Sequence, residues 1–209
     1  MTTSRSIALT MRATVAPATG EARDALAADW PRFLRRGLPR HRWLPVPNAG
    51  QDAVDFVQGW DADALILTGG DDWGAYPHRD ETERLLFQWA VGKRLPVIGV
   101  CRGAQVINRL MGGACRPGPV EVHVANTHLV TMADGSVDRV NSFHATVIAE
   151  EDLAPGLSIL ARAADGTVEA FSTPPPASIL GLVWHPEREE EVRERDVRLM
   201  ERILEGGNG

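Results

Sequence analysis

Short apolar runs alternate with stretches of helical periodicity through the first half of the chain. Residues 64–68 and 97–100 are continuous apolar segments, as expected for strands that are buried on both faces of a parallel sheet. Strands that alternate with helices predict an α/β fold whose sheet is covered on both faces. This half is predicted to contain strands at residues 6–11, 41–46, 64–68 and 97–100, and helices at 21–36, 52–59, 81–93 and 104–111.

The second half of the chain has a different pattern, in which short strand candidates follow one another between turn signals. The sequence therefore predicts extra short strands in the C-terminal half, followed by a final helix. No repeat or linker divides the chain, so residues 1–209 are interpreted as a single domain. The predicted strands are residues 120–124, 128–132, 137–141, 157–162, 167–171 and 179–184, and the final helix is residues 188–204.

Composition narrows the class of protein. The chain has 209 residues, of which 44% are hydrophobic, and a net charge of −6. This is typical of a globular domain and argues against a general nucleic-acid binder, which needs a clustered basic surface. The first twenty residues lack the apolar core of a secretory signal, and no segment is apolar enough to span a bilayer, so a cytoplasmic protein without membrane contact is expected.

The strongest chemical signal is Cys101, which lies between a predicted buried strand and a predicted helix. Gly99 and Gly103 flank it two residues away on either side, as in a nucleophile elbow, where glycines permit a tight and strained turn. The helix N-terminus favours the reactive thiolate, and the charge of Arg102 could add to that effect. The alternative is a small buried cysteine with a packing role.

A cysteine nucleophile needs a base, and His185 is the best candidate among the six histidines. Pro186 follows it, which favours an extended backbone in which residues two apart point the same way. Glu187 could then hold one ring nitrogen and leave the other free to accept the thiol proton. Alternatively, His185 is a loop residue and Glu187 only favours the start of a helix.

Paired glycines follow the predicted strand at residues 64–68. Gly69 and Gly70 would let the backbone approach a ligand, and the N–H groups of Gly70 and Arg102 could form an oxyanion hole. An ordinary strand-to-helix turn is the alternative. The spacing does not match a phosphate loop or a dinucleotide fingerprint. No third ligand is evident near His123 and His128, so neither a metal site nor another cofactor is expected.

Taken together, these motifs resemble the class I glutamine amidotransferase-like superfamily, and within it the γ-glutamyl hydrolase branch. The resemblance implies a flavodoxin-like three-layer sandwich with a mainly parallel central sheet. It also implies that Cys101 is the nucleophile, His185 the base and acid, Glu187 the residue that orients His185, and Gly70 with Arg102 the oxyanion donors. The blocks that carry it are residues 68–71, 101–105, 140–144, 165–170 and 184–187.

The same resemblance suggests residues that contact a small γ-glutamyl substrate. The N-terminal part of the chain contains short segments similar to γ-glutamyl hydrolases that release cytidine diphosphoramidate in bacterial capsule synthesis. Arginines in this part are therefore candidates for contacting the diphosphate of such a substrate. An aromatic ring near the paired glycines could stack on a base or sugar. Solvated or packing roles remain alternatives for all of these side chains. The candidates are Gly69, Gln105, Asn141, Ser142, Phe143 and His144 for the glutamyl group, and Arg12, Arg23 and Trp73 for the rest of the substrate.

Three functions remain open at this point. The first is a stand-alone amidase that acts on a γ-glutamyl amide, either as a single chain or as a homodimer. The second is a glutaminase subunit that delivers ammonia to a separate synthetase partner, because the chain has no room for a second catalytic domain. The third is a non-catalytic binding module, against which the complete set of Cys101, His185 and Glu187 argues.

Overall fold

Nine strands form one mixed sheet in the computed structural model, which describes residues 4–174 and 178–206. In spatial order the strands are β4-β1-β5-β6-β13-β12-β11-β8-β9. The strands are β1 Ser6–Thr10, β2 Arg12–Val15, β3 Ala22–Ala25, β4 Arg42–Val46, β5 Ala64–Leu67, β6 Val97–Val100, β7 Arg116–Pro117, β8 Asn126–Met132, β9 Val137–Ser142, β10 Thr146–Val147, β11 Ser158–Ala163, β12 Val168–Ser172 and β13 Ile179–Leu182. The helices are α1 Asp29–Gly37, α2 Gln51–Gly59, α3 Pro77–Gly92, α4 Arg102–Leu110, α5 Val120–His123 and α6 Glu194–Leu204.

Strands β4, β1, β5, β6 and β13 are parallel, and they position the chemistry. Strands β5, β6 and β13 are buried throughout their length, as their uninterrupted apolar sequences predict. Parallel strands end at the same edge of a sheet. Gly69, Cys101 and His185 lie just beyond the ends of β5, β6 and β13, so the fold brings these three positions together at the carboxyl edge.

Two apolar cores, one on each face of the sheet, produce three layers. On one face, α1 and α6 pack with side chains such as Phe33 and Ile203 against Leu9 and Ile66. On the other, α2, α3 and α4 cover the alternate strand positions, Leu65 among them. The alternation of strand side chains between two cores confirms the expected α/β three-layer fold.

The remaining strands of the sheet, β12, β11, β8 and β9, pair antiparallel. This part of the sheet is less covered: Leu129 and Val137 are exposed, whereas Val130 and Val140 pack into a core. Such one-sided burial is common in antiparallel sheets. The extra short strands predicted for the C-terminal half are therefore this antiparallel extension.

The helix expected over residues 21–36 is wrong in its first part. The chain forms an antiparallel hairpin of β2 and β3, with Gly20 at positive φ between them, and α1 begins only at Asp29. Pro31 does not break this helix, because the backbone N–H groups of a helix's first turn have no intrahelical acceptor to lose.

Two other sequence expectations need correction. Residues 120–124 alternate like a strand, but they form the helical turn α5, which leads into β8. The final helix begins at Glu194 and not at residue 188, because Pro186–Arg188 form a separate 3₁₀ turn. Among the residues that the structure describes, no helix combines the length and apolarity that a membrane span requires.

Candidate active site

Cys101 occupies a strained turn between β6 and α4. Its φ is 52°, a left-handed value that L-residues other than glycine rarely adopt. The flanking glycines are required by packing: a β-carbon on Gly103 would lie 2.0 Å from the carbonyl oxygen of Leu67, and one on Gly99 would lie 2.6 Å from the nitrogen of Ala104. Strain of this kind marks functional positions, and the geometry is that of a nucleophile elbow.

His185 and Glu187 form a buried pair just beyond β13. Glu187 Oε1 lies 2.7 Å from Nδ1 of His185, and both side chains are almost fully buried. Asn141 holds the backbone at this point: its amide nitrogen donates to the carbonyl of His185, and its oxygen accepts from the N–H of the same residue. With the carboxylate at Nδ1, the imidazole is oriented so that Nε2 is the nitrogen available for proton transfer.

The imidazole of His185 meets Cys101 above Gly69. A β-carbon on Gly69 would lie 2.7 Å from Cε1 of His185 and 3.6 Å from Cβ of Cys101, so only glycine leaves room for both side chains. Burial disfavours the charged imidazole, but the charges and hydrogen bonds of Cys101 and Glu187 outweigh it and raise the pKa of His185 to about 9. The arrangement therefore stabilises an imidazolium beside the sulfur.

Gly70 lies directly over a buried arginine. Its φ is +150°, and a β-carbon there would lie 2.1 Å from Nη1 of Arg79. The Arg79 guanidinium donates to the carbonyl oxygens of Thr68 and Gly69. It thereby fixes the backbone of the paired glycines from below. The N–H of Arg102 belongs to the first turn of α4, where no helical acceptor exists, and it remains a candidate oxyanion donor together with the N–H of Gly70.

The side chain of Arg102 does not act on the sulfur as the sequence suggested it could. Its guanidinium is buried and paired with Asp80 and Glu83, so its charge is compensated. Glu83 also accepts from Arg79 and from the hydroxyl of Thr10. We call Arg79, Asp80, Glu83 and Arg102 the arginine cluster.

The structure separates the residues at 141–144 into different roles. Asn141 clamps the backbone of His185, as described above, and the Phe143 ring packs edge-on against the imidazole at 5.8 Å between centroids. Ser142 and His144 are buried, and both point away from Cys101 into a second polar cluster. Of these four residues, only Phe143 is exposed, at 43%.

The expectation that no third metal ligand lies near His123 and His128 is wrong. His144 and Glu169 come from distant positions in the chain and place ring and carboxylate atoms beside both histidines. The sequence spacing could not show this, because residues 123, 128, 144 and 169 lie on four separate segments. We call these four residues the histidine cluster.

Two cavities adjoin the site. The smaller, of about 30 Å³, lies between Arg12, Gly69, Gly70 and Glu187. Arg12 pairs there with Asp71. Both paired glycines and His185 line this space, so the smaller cavity adjoins the proposed base.

The larger cavity, of about 210 Å³, opens beside Gln105 and Trp73. The guanidinium of Arg109 lies over the Trp73 ring at 5.8 Å, and Arg116 also lines this space. Gln105 donates to the carbonyl of Thr146 and so closes one wall. The predicted contacts Gln105 and Trp73 therefore border one space, which also contains two arginines that the sequence analysis did not single out.

Arg23 lies apart from both cavities. It is exposed on β3 and forms an ion pair with Glu21 of the same hairpin. The arginine cluster was also missed from the sequence. Arg79, Glu83 and Arg102 had a detectable signal, because the first two lie four residues apart on a helix and Arg102 directly follows Cys101. Only the fold, however, shows that their charges meet.

Comparisons with known proteins show which sequences and folds the chain is similar to. The family model described as Peptidase C26 matches residues 9–128 and 117–187. The chain is 29% identical to the gamma-glutamyl-CDP-amidate hydrolase of Campylobacter jejuni, over 88% of this chain and 90% of that protein. It is 27% identical to the gamma-glutamyl-gamma-aminobutyrate hydrolase of Escherichia coli K12, over 75% and 68% of the two chains. A Thermoplasma acidophilum structure described as a candidate GMP synthase component has a TM-score of 0.72 and 18% identity, covering 98% of this chain and 96% of that one.

Proposed function

Because the chain belongs to the Peptidase C26 family, we propose that it is a cysteine-dependent hydrolase of γ-glutamyl amides. One observation carries the proposal: a cysteine in a strained elbow meets a buried histidine that a glutamate orients. A purely structural cysteine has no need of a positive φ or of an imidazolium beside it. Two relatives that match over 88% and 75% of the chain are named as γ-glutamyl hydrolases, which supports the same class of substrate.

The geometry supports a two-step reaction. The Cys101 thiolate attacks the γ-carbonyl carbon, and the N–H groups of Gly70 and Arg102 stabilise the oxyanion that forms. The His185 imidazolium gives its proton to the amide nitrogen as the C–N bond breaks, which releases the amine and leaves a glutamyl thioester. Water then attacks the thioester and gives a proton to His185. When the C–S bond breaks, free glutamate and the original thiolate–imidazolium pair remain.

The test is hydrolysis of γ-glutamyl amides by matched variants. His185→Asn should abolish glutamate release, whereas His41→Asn should retain it. His41 is a suitable control because it is also buried and lies 3.1 Å from a carboxylate, that of Glu201, but it is remote from Cys101. Cys101→Ala should likewise release no glutamate, and its thermal unfolding transition should show that it is folded. A Cys101→Ala variant that releases glutamate as fast as wild type would refute the proposal.

Thiol labelling gives an independent readout that needs no substrate. Iodoacetamide should modify Cys101 faster than free cysteine at neutral pH. Cys115 is an internal control, because burial raises the pKa of its thiol and slows its reaction. A Cys101 that reacts no faster than Cys115 would favour a non-catalytic binding module.

For the leaving amine, we propose a nucleotide-linked amide. The relative matched over 88% of this chain carries a cytidine diphosphate amidate in its name. The cavity beside Gln105 offers an aromatic ring at Trp73 and the guanidinium group of Arg109, which suit a base and phosphate oxygens, whereas Arg116 is paired with Glu151 and Asp152. Arg109→Gln should raise KM for a nucleotide-linked substrate but not for γ-glutamyl-γ-aminobutyrate. Arg198→Gln, on an exposed part of α6, is the control, and equal rates on both substrates would contradict this specificity.

The same assay distinguishes a glutaminase subunit. If glutamine releases ammonia only after a synthetase is added, then the stand-alone hydrolase is wrong. The structural likeness to the Thermoplasma protein, at 18% identity, shows a shared fold and leaves this choice to the measurement.

A further inference from the structure

The histidine cluster has the composition and the spacing of a metal site. His123 Nδ1 and His128 Nε2 each lie 3.5 Å from one oxygen of Glu169, and His144 Nε2 lies 3.7 Å from the same oxygen. The side chains of His123, His144 and Glu169 are at most 3% exposed, and that of His128 is 10% exposed. Three imidazole nitrogens thus converge on one buried carboxylate, at separations too long for good hydrogen bonds.

The atoms that face the centre of the cluster lack partners. His123 Nδ1, His128 Nε2 and both carboxylate oxygens of Glu169 have no hydrogen bond within the part of the chain that the structure describes. The fifth inward atom, His144 Nε2, is 3.0 Å from the hydroxyl of Ser142. That hydroxyl also lies 2.7 Å from the carbonyl of His123, and it has only one proton to donate. Buried polar groups without partners are costly and rare, so this group requires an explanation.

The outward nitrogens of the three rings face acceptors. His123 Nε2 lies 2.9 Å from a carboxylate oxygen of Asp165, and His144 Nδ1 lies 3.0 Å from the carbonyl of Thr146. His128 Nδ1 faces the carbonyl of Val122 at 3.5 Å. Because acceptors fix the ring proton on the outward nitrogen, a neutral ring directs its lone pair inward.

Three inward lone pairs and a carboxylate repel one another unless a cation lies between them. Histidine ligands of metals usually donate their second N–H to a carboxylate or a backbone carbonyl, as Asp165 and Thr146 accept here. Ligand atoms about 2.0–2.1 Å from a tetrahedral zinc ion lie about 3.3 Å from one another. The three ring nitrogens lie 3.5–3.7 Å from one oxygen of Glu169, close to this value. The ligand atoms of His123, His144 and Glu169 all lie within 4.8 Å of one another.

We propose that His123, His128, His144 and Glu169 bind one Zn²⁺ ion. Three imidazoles and a carboxylate suit zinc. Four protein ligands leave no open position, so the ion is structural and does not activate water. Its ligands lie on α5, β8, the segment between β9 and β10, and β12. His144 lies three residues from Asn141, whose side chain clamps the backbone of His185. The ion would therefore hold this segment against α5, β8 and β12.

The test measures metal binding without catalysis, so its result is independent of the proposed function. The background is Cys101→Ala with Cys115→Ala, because free thiolates also bind zinc. This protein should contain about one zinc per chain by elemental analysis after dialysis against trace zinc. Substitution with Co²⁺ should give the visible absorption of a tetrahedral complex. Free zinc at one hundred times Kd should raise the folding equilibrium constant about one hundredfold.

Variants separate the cluster from adventitious binding. Glu169→Gln and His123→Gln should each lose the zinc and the cobalt spectrum, whereas His41→Gln, in the buried pair with Glu201, should keep both. A folded background protein that takes up neither zinc nor cobalt at neutral pH would overturn the proposal. So would zinc binding that survives in a folded Glu169→Gln, His123→Gln double variant.

Discussion

The arginine cluster and the histidine cluster are both buried, and both support the candidate active site, but they balance their charges differently. In the arginine cluster, two guanidinium groups meet two carboxylates, and Glu83 alone accepts from three side chains. In the histidine cluster, one carboxylate faces three rings whose inward nitrogens lack donors or acceptors. A buried polar cluster can thus balance its charges within the chain, as the two guanidinium groups and two carboxylates do, or can need a cation from outside.

The two clusters also support different parts of the site. Arg79 holds the backbone of Gly69 and Thr68 from below the sheet edge. The histidine cluster adjoins the segment that carries Asn141, which clamps His185. One cluster therefore fixes the proposed oxyanion donors, and the other fixes the proposed base. Damage to either should change the site, but only one should respond to a chelator.

The largest effect is expected when the arginine cluster loses its shared carboxylate. Glu83→Gln leaves two buried guanidinium groups with a single carboxylate, and breaking a buried ion pair in this way costs about 3–5 kcal/mol of unfolding free energy. Urea unfolding measures it. Glu81→Gln, on the exposed side of the same helix, is the matched control and should remain close to wild type. Similar losses in both variants would show that the charges of the arginine cluster contribute little.

The next effect separates the two clusters directly. With free zinc at one hundred times Kd, wild type should gain about 2.7 kcal/mol of unfolding free energy relative to the chelated protein. Glu83→Gln should keep this gain, because the arginine cluster balances its charges without a metal and is not a candidate metal site, whereas Glu169→Gln should lose it. Calorimetry with zinc and with a chelator gives both values. A gain that disappears in Glu83→Gln but not in Glu169→Gln would reverse the assignment.

A smaller effect concerns the buried pair of His185 and Glu187, which lies between the two clusters. The folded pKa of His185 is about 9, above its ordinary value of 6.5, so the stability from its charge is complete below pH 6.5 and is lost as pH rises through 9. Glu187→Gln should cost about 1.5–3 kcal/mol at pH 6.5, as a charged hydrogen bond is worth, and less at pH 10. Urea midpoints at the two pH values measure the difference. A cost that grows with pH would contradict a charged His185.

The smallest effect is expected for Arg23, which touches neither cluster. Its ion pair with Glu21 is exposed on the hairpin, where such pairs contribute little. Arg23→Gln should therefore leave the unfolding midpoint and kcat/KM for a nucleotide-linked substrate unchanged. Arg109→Gln, measured beside it, should raise KM. If Arg23→Gln raises KM instead, the hairpin reaches the substrate and the cavity beside Trp73 is not the nucleotide pocket.

Much of the parallel half of the molecule could be predicted from the sequence. The apolar runs of β5 and β6 have one plausible environment, and residues that follow parallel strands must meet at one edge. For this reason Cys101 and Gly69 could be placed together from the sequence. The i, i+2 relation of His185 and Glu187 in an extended backbone also predicts their contact, which the structure contains.

The failures have local and long-range causes. The charged residues of β3, at 22–25, suit a helix equally well. The turn at Gly20 instead pairs them with β2 in a hairpin. The alternation at 120–124 suggests a strand, but its backbone closes a helical turn. The histidine cluster could not be predicted, because its members span four segments of the antiparallel half. Their proximity depends on the strand order, which periodicity does not reveal.

The backbone at Cys101 sets stability against activity at a single residue. A backbone at φ 52° and ψ −112° costs an ordinary L-residue about 1–3 kcal/mol, and glycine does not incur this cost. Replacement of Cys101 by glycine would relax the turn while it removed the sulfur. A substitution that stabilises the fold at this position would therefore remove the proposed nucleophile. Only selection for the proposed activity would retain the cysteine.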